Sequence, residues 1–80
     1  MSLLRLPAVI ERAGLSRGSI YSRIPKGLWP PPVKLGERAS AWPDHEISAL
    51  NAARVSGKSD AQIRDLVAEL MAARKSCVSA

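Results

Sequence analysis

Leu6-Pro7-Ala8-Val9-Ile10-Glu11-Arg12-Ala13-Gly14-Leu15-Ser16-Arg17-Gly18-Ser19-Ile20-Tyr21-Ser22-Arg23-Ile24 reads as two short amphipathic helices meeting at a Gly14-Leu15-Ser16 corner. Leu6, Val9, Ile10 and Ala13 recur at the helical interval, and the fixed φ of Pro7 suits a first turn. Gly14 ends the first helix because glycine takes the left-handed C′ conformation without steric cost. Ser16 then offers a hydroxyl that accepts from an unpaired first-turn N–H, while Leu15 and Ile20 hold the two hydrophobic-staple positions. Two helices joined by so tight a corner predict a helix-turn-helix.

At about 100° per residue, Ile20 and Ile24 share the inward face of the second helix, and Gly18, Ser19 and Ser22 fall opposite them. An outward face this small lets the helix backbone come near base edges. Arg17 in the first turn and Tyr21 and Arg23 on the flanks can then reach bases or phosphates. Charge points to the same surface. Residues 1–43 carry seven bases (Arg5, Arg12, Arg17, Arg23, Lys26, Lys34, Arg38) against Glu11 and Glu37, whereas residues 44–80 carry five of each sign, so the formal net charge of +5 belongs to the N-terminal part. A polyanion would meet that part first.

Beyond Ile24, Pro25, Gly27 and the run Pro30-Pro31-Pro32 preclude a regular helix and predict an extended connector. Trp29 within it is expected to plug the core rather than stack on a base. Val33-Lys34-Leu35, a turn at residues 36–39, and Ser40-Ala41-Trp42 predict a small β-hairpin with Val33 and Leu35 on one inward face. Lys34 points away from that face, and Arg38 sits at the tip, so the hairpin is a candidate wing on phosphates. The alternative for Arg38 is a solvated turn residue paired with Glu37. Trp42 belongs to the core.

Pro43 and Asp44 open a third helix, with Asp44 as its expected cap. Ile47 and Leu50, with Ala53 or the aliphatic stem of Arg54, form its packing stripe, and Gly57 stops it. Ser59 and Gln62 have the spacing of a capping box. Ile63, Leu66, Val67, Leu70 and Met71 follow at helical intervals, predicting a fourth helix to about Arg74. Its stripe either closes the core or forms a self-association seam. Residues 76–80 are expected to fray.

Cys77 stands alone, which excludes an internal disulfide and a thiolate zinc site. With one histidine, His45, and no Gly-rich phosphate loop, nothing resembles a catalytic set, so neither an enzyme nor a metal or other cofactor is expected. The N-terminus lacks the apolar run of a secretory leader, and no stretch approaches the roughly 20 residues that span a bilayer. A cytoplasmic protein, associated with the nucleoid, is the expectation.

The strings Leu4-Arg5-Leu6-Pro7-Ala8-Val9, Gly14-Leu15-Ser16-Arg17-Gly18-Ser19-Ile20-Tyr21, Pro32-Val33-Lys34-Leu35-Gly36, Ala41-Trp42-Pro43 and Glu46-Ile47 resemble, in order and spacing, the AlpA family of prophage-type transcriptional regulators. The resemblance covers roughly residues 3–54. It implies a winged helix-turn-helix related to excisionase and MerR-type DNA-binding domains, acting on promoters or attachment sites. Arg17, Ser19, Tyr21 and Arg23 would then be recognition-helix contacts, joined by Ser22 on the same face, and Lys34 and Arg38 would be wing contacts. Gly18 stands where the family usually carries Ser or Thr, and Leu50-Asn51 where Trp and an aliphatic residue are common.

Together these expectations give a mainly α fold with a small β-hairpin: a winged helix-turn-helix at residues 1–56, an extra C-terminal helix at 57–75 and a tail at 76–80. The expected partner is double-stranded DNA, with a homo-oligomer through the C-terminal helix and an integrase or RNA polymerase as further partners left open. A sequence-specific transcriptional regulator, an excisionase-like factor that bends DNA, and a helical protein-interaction adaptor all remain compatible with the sequence.

Overall fold

The corner at Gly14 forms as its residues dictate. In the computed structural model, which describes residues 2–78, helix α1 (Leu6–Ala13) ends at Gly14 with φ 68°. The Gly14 N–H donates to Ile10 O at 2.9 Å. Helix α2 (Arg17–Arg23) starts from Ser16, whose Oγ accepts from the Ser19 N–H at 3.2 Å. Val9 of α1 and Ile20 of α2 are both fully buried, with Leu15 packed against the same cluster, so the helix pair is locked by its inner face.

The expected hairpin is present as β2 (Val33–Lys34) and β3 (Ser40–Pro43). A further strand, β1 (Leu3–Arg5), pairs with the other side of β3, giving a three-stranded antiparallel sheet in the order β1-β3-β2. Arg5 and Val33 thereby flank Ala41 from opposite sides. One expectation fails at the turn. Strand β2 lasts only two residues, so its in-out alternation lapses after Lys34, and Leu35 is 48% exposed instead of sharing an inward face with Val33. The Leu35 N–H donates to Ala39 O at 2.8 Å and closes the wing.

Both tryptophans are core residues, as expected, joining Val9, Ile20, Ile47, Leu50 and Val67 in one buried cluster. Trp42 Nε1 donates to Pro30 O at 2.8 Å, which satisfies the indole inside the core and anchors the connector. Helix α3 (Asp44–Val55) is entered from Pro43. Asp44 does not cap it. Its N–H is already bonded to Ser2 O beside β1, and its side chain makes no capping bond because the residue lies inside the first turn. Of the two residues offered for the end of the α3 stripe, Ala53 is buried and Arg54 is exposed.

Helix α4 (Asp60–Val78) has both halves of its capping box. The Ser59 N–H donates to Gln62 Oε1 at 2.9 Å, and the Gln62 N–H to Ser59 Oγ at 3.3 Å. Val67 enters the core, and Ile63, Leu66, Leu70 and Met71 pack against it. The apolar stripe of α4 therefore covers its own chain. The helix passes the expected end near Arg74 and runs to Val78. The last two residues of the expected frayed tail lie outside the described residues. Among the described residues, no helix is long and apolar enough to cross a membrane.

Candidate nucleic-acid interface

Seven residues at a 1.5 Å rise make α2 roughly 10 Å long, and the diameter of an α-helix with its side chains, about 10–12 Å, matches a major groove about 12 Å wide. Ile20 seats α2 in the core, and Tyr21 adds a contact at the edge of that core. That side chain is 41% exposed, yet its ring meets the buried Trp42 edge-on, with centroids 6.4 Å apart and planes at 72°. Arg17, one turn earlier, lays its guanidinium 5.9 Å from the Tyr21 centroid. A cation over an aromatic face is attracted by the ring quadrupole. Burial of Trp42 thus sets Tyr21, and Tyr21 sets Arg17.

The serines of the outward face are partly engaged. Ser19 Oγ accepts from the Ser16 hydroxyl at 3.1 Å, and the Ser22 hydroxyl donates to Ser19 O at 2.9 Å. Each retains accepting capacity, but Ser22 must release its backbone bond before donating outward. Arg23 is half-buried, and its Nε is enclosed with no acceptor among the described residues. Lys34 is exposed on the edge strand β2.

A cleft of about 430 Å³ opens between α2 and the wing, lined by Arg5, Leu6, Pro7, Arg17, Tyr21, Arg38 and Ser40. It brings together Arg17, Tyr21 and Arg38 from the expected set. Ser19, Ser22, Arg23 and Lys34 lie outside its lining. Arg5 is the residue that sequence reasoning missed, because its place beside the cleft depends on β1 pairing with β3. Its membership in the N-terminal run of bases was the available signal. Among the described residues Arg38 has no ion pair with Glu37, and no side-chain hydrogen bond holds Arg5, Arg17 or Arg38. Three cations from strand, helix and wing therefore face one opening with their donors unspent.

Residues 2–54 match the family model described as prophage CP4-57 regulatory protein (AlpA). The chain belongs to the AlpA family. It is also similar to an uncharacterized protein, ORF88, of Enterobacteria phage P4, with 46% identity over 55 residues, covering 69% of this chain and 62% of that protein. The chain thus spans less than two thirds of that relative's length. No solved structure matches it significantly.

The family match takes in all seven expected contact residues and Arg5, and it stops within α3. The arginines near or beyond its limit are employed differently in this AlpA-family chain. Arg54 Nη1 donates to Ala13 O at 3.3 Å, beside an Asn51 amide that donates to Arg12 O at 3.0 Å, so α3 supplies donors to the last carbonyls of α1. Arg64 Nε donates to Lys26 O at 2.9 Å. Arg74 forks onto the fully buried Glu46, with Nε on Oε2 at 2.7 Å and Nη2 on Oε1 at 2.5 Å, while its Nη1 donates to Pro31 O at 2.9 Å. Among the described residues, no group of three or more His, Cys, Asp or Glu is placed to hold a metal ion.

Proposed function

We propose that this chain is a sequence-specific DNA-binding transcriptional regulator of the prophage type. Helix α2 lies in the major groove, and the β2–β3 wing rests on the phosphate backbone. The carrying observation is the cleft in which Arg5, Arg17 and Arg38 converge from three elements without an acceptor among the described residues. Membership of a family of prophage regulatory proteins supports the same reading. Arg17 and the outward face at Ser19 and Ser22 read base edges, flanked by Tyr21 and Arg23. Arg5, Lys34 and Arg38 hold phosphates and fix the register of the helix in the groove. The protein acts on the nucleoid in the cytoplasm, by binding and not by catalysis.

Selection of duplexes from a randomised pool tests this proposal. The wild-type chain enriches a preferred sequence, and Arg38→Ala weakens preferred and scrambled duplexes by the same factor. Arg17→Ala relaxes the preference at one base pair by about 1–3 kcal/mol. A pool that emerges unenriched, or two variants with the same binding profile, would refute the division of roles.

A further inference from the structure

The connector from α2 to β2 is seated in the core by Trp29 and Pro30, both fully buried. Pro30, Pro31 and Pro32 have no N–H to offer a ladder, so beyond that packing their stretch is held by donors that reach its carbonyls. Trp42 supplies one, at Pro30 O. The others come from α4. Arg74 Nη1 reaches Pro31 O, and Arg64 Nε reaches Lys26 O near the other end of the connector. The Arg64 stem also lies over Gly27, where φ is +76° and an added Cβ would stand 3.6 Å from Arg64 Cγ. The turn beneath it is the one that closes α2, with the Leu28 N–H on Arg23 O at 3.0 Å. Arg74 is itself oriented by its fork on the buried Glu46 of α3.

Helix α4 therefore grips both ends of the segment that runs from α2 to the wing, although it contributes no residue to the cleft between them. We propose that α4 is a brace that fixes the spacing of α2 and wing, with Arg64 and Arg74 as positioning residues for sequence discrimination. This rests on the reading of α2 and wing as DNA contacts. A helix and a wing that must engage groove and backbone together discriminate only if their separation is set, because supporting contacts hold the contacting groups to within fractions of an ångström. A loose connector lets each settle on any duplex separately.

The test uses the full chain, with a preferred duplex selected from a randomised pool by the wild type and a scrambled duplex of equal length. Arg64→Ala should lower the ratio of the two affinities roughly tenfold, about the discrimination carried by one base pair. Affinity for the scrambled duplex and its salt dependence stay unchanged. Arg64→Lys, which retains a donor for Lys26 O, restores most of the ratio. Arg74→Lys keeps a cation opposite Glu46 while withdrawing the Nη1 donor from Pro31 O, and it lowers the same ratio. A ratio unchanged in Arg64→Ala and Arg74→Lys, or an equal weakening of both duplexes, overturns the brace while leaving the DNA-binding reading intact. A wild-type chain that enriches no sequence overturns the DNA-binding reading, and the brace with it.

Discussion

Arg5, Arg17 and Arg38 surround an open cleft with no acceptor among the described residues, whereas Arg54, Arg64 and Arg74 each end on a backbone carbonyl or a carboxylate. The same side chain serves two purposes on the two sides of the molecule. In the C-terminal region the guanidinium supplies donors where carbonyls or a carboxylate lack them, and the Arg74 charge is neutralised by Glu46. Around the cleft, donors stay unspent and the positive field remains for a polyanion. Counting bases alone would not separate these uses. The hydrogen bonds do, and they agree with the balance of charge, because the excess lies wholly within residues 1–43.

The sharpest break would come at Arg74. Removing it by Arg74→Ala leaves Glu46 buried without its partner, and unfolding in urea should show a loss of about 3–5 kcal/mol. A loss under about 1 kcal/mol would mean that the C-terminal arginines are as unspent as the N-terminal ones. Arg17→Ala should do the reverse. Stability falls by no more than about 1 kcal/mol, the worth of an exposed cation–π contact, while base preference relaxes as described above. If calorimetry found it as destabilising as Arg74→Ala, the contrast between the regions would be gone.

Smaller effects sharpen the picture of α2. Ser16→Ala withdraws the acceptor from the Ser19 N–H and should cost about 0.5–2 kcal/mol in thermal or urea unfolding. Gly18→Ala should stabilise the fold by up to about 1 kcal/mol, since Gly18 sits within a helix and an added Cβ meets nothing within 4 Å. The same methyl projects from the face assigned to the groove. Weaker binding of a selected duplex by this more stable variant would place that face against DNA, and unchanged binding would turn it away.

The sequence made local features legible and concealed those that depend on distant partners. The Gly14 corner, the Ser16 cap, the Ser59–Gln62 box and the burial of both tryptophans follow from neighbours within a few residues or from side-chain type. Strand β1 is three residues long, runs straight into a helix, and exists through pairing with residues 41–43. Nothing in its own spacing announces it. Glu46 stands in the first turn of α3 with its partner 28 residues away, so no local spacing announces their pairing. Period-two alternation fails for Leu35 because β2 ends one residue before it. Of the candidate site, Arg17, Tyr21 and Arg38 stand in the set expected from sequence and line the cleft, but their convergence with Arg5 requires the sheet.

The unspent cations are tested most directly by the salt dependence of binding to a short duplex. With about four to six phosphates contacted, log affinity should fall against log salt with a slope of roughly −4 to −5. Arg5→Ala and Arg38→Ala should each reduce that slope by about 1, and Arg64→Ala should leave it unchanged. A flat response in the wild type, or a slope that moves with Arg64 and not with Arg5 and Arg38, would contradict the assignment of the cleft to DNA.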